Sequence, residues 1–183
     1  MSEQDLQFIA NHTAVSREQV DMQYENFLKD HPDGKITKKD FRKMMKDCYP
    51  PINIDKLESH IFRMYDTNGD GYIDFREFMI VLYVMSEGSP EENLRQMFRI
   101  FDINNDKSVD LEELGRIVHG LFKLFKHEDN PENLTEANIA LKAFKEMDTN
   151  TDGKVTEDEF VRACLGQETI SKILALKVIE IFI

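Results

Sequence analysis

The chain has 183 residues, 32% of them charged, and a formal net charge of −12, which suits one or two small domains and argues against a nucleic-acid partner. The opening MSEQDLQF lacks a basic start followed by an apolar run, and no span approaches the ~20 apolar residues of a membrane helix. Cys48 and Cys164 are too few and too far apart for a disulfide framework, so both are expected to be reduced in an intracellular protein. His12, His31, His60, His119 and His127 show no metal-binding spacing.

Residues 1 to 15 are weakly patterned, although Leu6, Phe8 and Ile9 are apolar enough to dock somewhere. Ser2 follows Met1, so the N-myristoylation motif, which requires glycine there, is absent from this sequence. A helix is predicted from Ser16, where Ser16 and Gln19 form a capping box and Val15 and Val20 a hydrophobic staple. Tyr24, Phe27 and Leu28 give it an inward face before KDHPDGKITKKD, residues 29–40. Phe41, Met44 and Met45 then mark a second helix, which Tyr49-Pro50-Pro51 interrupts. Leu57, Ile61 and Tyr65 line a third helix, leading into DTNGDGYIDFRE, residues 66–77.

That stretch meets D-x-[DN]-x-[DN]-G-x5-E at every specified position, the pattern of a calcium-binding loop. Asp66, Asn68 and Asp70 place side-chain oxygens at positions 1, 3 and 5, and Tyr72 offers its carbonyl at position 7. Asp74 acts at position 9, and Glu77 closes the loop at position 12 with both carboxylate oxygens. Gly71 stands at position 6, where the sharp turn favours glycine. The 29–40 stretch has the same length and a central Gly34, but Lys29 occupies position 1, His31 position 3 and only Asp40 position 12. An ammonium cannot coordinate a cation, so this loop is expected to be degenerate and kept for its fold.

Phe75, Phe78, Met79, Leu82 and Tyr83 form an apolar stripe on the exit helix, which Asp74 and Glu77 are positioned to cap. Ser86-Glu87-Gly88-Ser89-Pro90 marks a boundary and a new helix start, with Ser89 as N-cap, Pro90 at N1 and Glu92 completing a capping box. Leu94, Met97, Phe98 and Phe101 lead into DINNDKSVDLEE, where Asp102, Asn104, Asp106, the Ser108 carbonyl, Asp110 and Glu113 make a full ligand set. Lys107 replaces the position-6 glycine, at a cost of roughly 1 kcal/mol for a left-handed residue, so weaker binding is expected there. Leu111, Leu114, Val118 and Leu121 line the next helix, and residues 126–135 read as a connector. Ala140, Phe144 and Met147 lead into DTNTDGKVTEDE, whose ligands are Asp148, Asn150, Asp152, the Lys154 carbonyl, Thr156 and Glu159. Phe160, Ala163 and Cys164 continue the exit helix. The apolar tail, with Ile170, Ile173, Leu174, Val178, Ile181 and Phe182, is expected to fold onto its own protein, with membrane or dimer contact as alternatives.

Helix, twelve-residue loop and helix thus recur four times, an all-α architecture of EF-hand units in two pairs. Position-8 residues are expected to join paired loops by short β-bridges, Ile36 to Ile73 and Val109 to Val155. The N-terminal pair spans 1–87, with its first loop degenerate and its second functional. The C-terminal pair and apolar helix span 88–183. The disabled Pro32-Asp33-Gly34 loop, HIFRMYDTNGDG at 60–71 and MDTNTDGKVTEDEF at 147–160 resemble the neuronal calcium sensors of the recoverin, neurocalcin and frequenin type.

The resemblance implies three functional loops and a target groove on the N-terminal half, lined by Tyr24, Phe27, Phe41, Met44, Phe62, Phe78, Met79 and Leu82. It implies a sensor that binds about three Ca2+ ions, with Mg2+ at some sites at rest left open, and exposes the groove to an amphipathic helix of a membrane-associated kinase, cyclase or channel. The missing myristoylation glycine means that a lipid switch does not carry over. The expected location is cytoplasmic, with a peripheral membrane position and a dimer left open. A cytosolic calcium buffer uses the same ligands and is the alternative. No phosphate-cradling glycine loop or nucleophile–base pairing stands out, so no enzymatic activity is expected.

Overall fold

Ser2 opens a helix that the apolar pattern does not announce. In the computed structural model, α1 (Glu3–His12) starts from a capping box in which the Asp5 N–H donates to Ser2 Oγ and the Ser2 N–H to Asp5 Oδ2. The structure describes residues 2–13, 15–48, 57–125, 135–166, 174, 175 and 178. The expected Tyr49-Pro50-Pro51 break, almost all of the 126–135 connector and most of the tail lie outside them.

Four helix–loop–helix units follow. The first comprises α2 (Arg17–Asp30), β1 (Lys35–Thr37) and α3 (Lys38–Cys48). The second comprises α4 (Glu58–Tyr65), β2 (Tyr72–Asp74) and α5 (Phe75–Glu87). The third comprises α6 (Pro90–Phe101), β3 (Ser108–Val109) and α7 (Leu111–Phe125), and the fourth α8 (Glu136–Met147), β4 (Val155–Thr156) and α9 (Glu157–Leu165). Antiparallel bridges pair Ile36 with Ile73 and Val109 with Val155, as the loop spacing requires. The capping boxes expected at Ser16, Asp74 and Ser89 are all formed, so these helix starts are written locally.

α1 lies against α2 and α5 and buries Leu6 and Ile9 there. Arg17 pairs with Glu3, Arg76 approaches Asp5 at 3.5 Å, and the Arg76 guanidinium sits 3.9 Å from the Phe8 ring centroid. α5 is in contact with α1, α4 and α6. Val81 is fully buried while Leu82, expected to face inward, is 44% exposed. Leu111 is likewise exposed, and Ile117 joins Leu114, Val118 and Leu121 in the core.

Phe27, Phe41, Phe62 and Phe78, expected to line a groove, close on one another and on Tyr65 and Phe75. Phe41 meets Phe62 edge-on at 5.5 Å, Phe27 meets Phe75 at 5.2 Å, and Tyr65 stacks on Phe78 at 6.1 Å. Each buried phenylalanine contributes about 1.5–3 kcal/mol, so this seam is a substantial part of the core. In the C-terminal half Phe98 and Phe101 both meet Phe160. Leu174, Ala175 and Val178 of the tail are buried in the same core.

The halves interlock through α4 and α6. Arg63 donates to the carbonyls of Arg99 and Ile100, at 3.2 and 2.6 Å. Gln96 donates to the Met64 carbonyl at 2.7 Å and Arg99 to the Thr67 carbonyl at 3.1 Å. Carbonyls at a helix end have no intrahelical partner, so each helix supplies donors to the other. Gly120 of α7 approaches Leu57 so closely that a Cβ there would lie 2.5 Å from Leu57 Cδ2.

Candidate metal centres

Loops 66–77, 102–113 and 148–159 share one backbone. Position 4 has a positive φ in all three, at Gly69 (74°), Asn105 (59°) and Thr151 (58°). Position 6 repeats it at Gly71 (85°), Lys107 (68°) and Gly153 (82°). Lys107 therefore adopts the left-handed conformation despite its side chain, against the cost expected from the sequence. The 29–40 loop keeps the turn at Gly34 (φ 75°) but has Pro32 at position 4, and proline is locked at negative φ.

Hydrogen bonds then fold the donors inward in the same order each time. The position-1 carboxylate accepts from the position-6 N–H at 3.0 Å in all three loops, Asp66 from Gly71, Asp102 from Lys107 and Asp148 from Gly153. Asn68, Asn104 and Asn150 accept from the N–H two residues on, at 2.8 to 2.9 Å. Asp70, Asp106 and Asp152 do the same with Tyr72, Ser108 and Lys154. Glu77, Glu113 and Glu159 are only 6–7% exposed. Their carboxylates accept from the position-9 N–H of Asp74, Asp110 and Thr156 at 3.0 to 3.1 Å. Each glutamate also stands in the first turn of its exit helix, so the loop and the helix start share a residue.

Among the described residues, no three Asp, Glu, His or Cys side chains converge as a ready-made cluster. The donor set is instead mixed and strung along the loop: carboxylates, an asparagine amide and a backbone carbonyl. This composition fits a hard cation that takes six to eight oxygens. Asp66 Oδ1 is buried with no hydrogen-bond partner, a costly arrangement for a carboxylate oxygen unless a cation meets it. On the donor chemistry and that orphaned oxygen, the residues fit calcium.

The first loop keeps the position-5 and position-12 hydrogen bonds, longer at 3.4 and 3.3 Å, but lacks side-chain oxygens at positions 1 and 3 and the closing glutamate. Lys29 turns away to Asn26, donating at 2.8 Å. Asp40, one carbon shorter than glutamate, accepts from the Thr37 hydroxyl at 2.6 Å, which holds its carboxyl below the usual range. Thr37 caps α3, its hydroxyl accepting from the Asp40 N–H while Asp40 Oδ2 accepts from the Thr37 N–H, and Asp33 Oδ1 accepts from the Lys35 N–H nearby.

Two contributions escape a residue-by-residue sequence reading. Thr67 and Thr149, at position 2, donate their hydroxyls to Glu77 Oε1 and Glu159 Oε1 at 2.8 and 3.0 Å. The repeated Asp-Thr-Asn of loops 66–77 and 148–159 is the signal that could have found them, since Ile103 stands there in the third loop. The Lys154 side chain, whose residue was assigned only a carbonyl role, crosses to Asp106 of the neighbouring loop at 3.1 Å. With the Ser108 hydroxyl and Lys154 as its main partners, the Asp106 carboxyl is held down to about 2.

Comparison with known proteins places these loops in context. Residues 54–114 and 91–165 match the profile of the EF-hand domain pair. Human recoverin is 30% identical over 179 residues, covering 95% of this chain and 89% of that protein. Neuronal calcium sensor 1 of Lymnaea stagnalis is 34% identical over 168 residues, covering 90% and 87%. The guanylyl cyclase inhibitory protein of Lithobates pipiens is 29% identical over 155 residues, covering 82% and 74%.

Proposed function

The chain belongs to the EF-hand calcium-binding proteins of the neuronal calcium sensor type, and from that premise we propose a sensor with three ion-binding loops and one target groove. Asp66, Asn68, Asp70, Asp74, Glu77 and the Tyr72 carbonyl hold the first ion. Asp102, Asn104, Asp106, Asp110, Glu113 and the Ser108 carbonyl hold the second. Asp148, Asn150, Asp152, Thr156, Glu159 and the Lys154 carbonyl hold the third. Magnesium occupies some of these loops at rest. Bound calcium supplies a divalent charge that gathers six to eight oxygens about one point.

Glu77, Glu113 and Glu159 carry the response, because each lies in the first turn of an exit helix. A change in where the carboxylate points turns the helix with it. In the N-terminal half that helix is α5, which holds Phe75, Phe78 and Met79 of the shut aromatic seam. The observation that carries the reading is this closed apolar seam directly beside a loop with a complete donor set. When α5 turns, the seam becomes a groove suited to an amphipathic helix. One relative is named as an inhibitory protein of guanylyl cyclase, and a membrane-associated cyclase, kinase or channel is the target class proposed here. The site is cytoplasmic and peripheral to the membrane through that target, and no catalytic role is assigned. The halves 1–87 and 88–183 act as the two pairs of this sensor.

The test is titration of a synthetic basic amphipathic helix with the protein, in calcium and in chelator. Calcium-dependent binding is expected. No binding with the ions demonstrably held would mean a calcium buffer instead.

A further inference from the structure

The two loop pairs contain the same cross-strand lysine in two different settings. Lys35 and Lys154 both occupy position 7, in the first and fourth loops, and the side chain of each reaches position 7 of the paired loop. In the N-terminal pair that neighbour is Tyr72, and the Lys35 ammonium rests over its ring, 4.6 Å from the centroid. Cation–π attraction gives it a seat there. In the C-terminal pair the neighbour is Ser108, whose short side chain accepts a bond from the ammonium without keeping it from Asp106. Lys154 Nζ reaches past it, 3.1 Å from Ser108 Oγ and 3.1 Å from Asp106 Oδ2.

Asp106 is thereby engaged on both oxygens. Oδ1 accepts from the Ser108 N–H and hydroxyl at 2.9 and 2.6 Å. Oδ2 accepts from Lys154 and from Asn104 Nδ2 at 3.3 Å. We propose that Lys154 is a built-in competing cation for the 102–113 loop, lowering its calcium affinity. The inference rests on reading that loop as a calcium site. For Asp106 to turn to an ion, the ammonium must leave, and its positive charge opposes the incoming one until it does. The side chain of residue 108 is the gate: serine lets the lysine through, and tyrosine diverts it.

Because Lys154 and Asp106 are 56% and 40% exposed, the effect is modest, roughly two- to fivefold in affinity. It is screened by salt.

The experiment is a calcium titration of the full chain by chelator competition, in an Glu159→Gln background so that the third loop is read without the fourth. Lys154→Gln should tighten the third loop by roughly two- to fivefold. Ser108→Tyr keeps the charge but diverts it, and should tighten the loop comparably. Lys35→Gln makes the same change of charge in the other pair and should leave the 66–77 loop unmoved. If the third loop binds but Lys154→Gln and Ser108→Tyr leave it unchanged, the proposal is overturned. Equal tightening by Lys35→Gln in its own pair also overturns it, because net charge alone then explains the effect. If Ser108→Tyr does not fold, Lys154→Gln against Lys35→Gln still decides. Should Glu113→Gln remove no ion from the wild-type stoichiometry, the failure lies in the reading of the loop itself.

Discussion

Arg63 donates to the carbonyl of Ile100 at 2.6 Å, so the helix leading into the second loop is tied to the last turn of the helix leading into the third. Arg99 returns the contact to Thr67, just inside the second loop. The two loops are therefore held side by side by polar groups from opposite halves of the molecule.

Removing Arg63 should loosen this joint. Arg63→Ala leaves the Arg99 and Ile100 carbonyls without their charged donor and should destabilise the chain by about 1–3 kcal/mol, measured by denaturant unfolding in chelator. Arg63→Lys should recover only part of the loss, since an ammonium cannot reproduce the planar fork that reaches both carbonyls. Full recovery by lysine would mean that charge alone matters at this joint.

Ion stoichiometry follows the loop chemistry. Glu77→Gln, Glu113→Gln and Glu159→Gln should each remove about one bound calcium, counted by calorimetry, because each takes a charged closing ligand from its loop. Asp40→Asn should remove none. A fall in stoichiometry with Asp40→Asn would show that the first loop is not degenerate.

His60 gives a pH dependence with a definite sign. Burial holds its imidazole down to about 4, and the neighbouring Arg63 adds to the effect. Arg63 only donates, so His60 Nδ1, 3.3 Å away, is the unprotonated acceptor of a neutral ring. An unfolded chain takes up this proton near the ordinary value of 6.5, whereas the folded chain refuses it until about 4. Stability should therefore fall as pH drops through that window. His60→Gln should flatten this part of the profile, measured as unfolding midpoints at several pH values. An identical slope in both proteins would rule the histidine out.

Gly120 tests how closely α7 meets the start of α4. Gly120→Ala should destabilise by about 1–3 kcal/mol through overpacking against Leu57. The same change in a Leu57→Ala background should cost less, because the obstructing methyl groups are gone. Additive losses would place the strain elsewhere.

The loops and most helix starts were legible because their signals are local. Alternating acids at fixed spacing, Ser16, Asp74 and Ser89 as caps, and position-8 aliphatics each declare themselves within a few residues. Helix α1 was not, because Leu6 and Ile9 are its main inward side chains and its capping box uses aspartate rather than glutamate. Leu82 lies outside the core because an apolar stripe does not say which of its positions a neighbouring helix will cover, and here Val81 is buried instead. The Arg63 contact is invisible in sequence for a different reason: its acceptors are backbone carbonyls, which any residue could supply. Lys154 reaches Asp106 only through the register of two loops and the size of Ser108, neither of which a single loop reveals.

Filling the loops should open the seam formed by Phe27, Phe41, Phe62, Phe75 and Phe78. The most direct test is the fluorescence of an apolar dye with the full chain, titrated with calcium in a magnesium background. A rise that tracks ion binding and is blunted by Glu77→Gln is expected. A flat signal while calorimetry shows the loops filled would contradict this opening and leave a protein that holds calcium without changing shape.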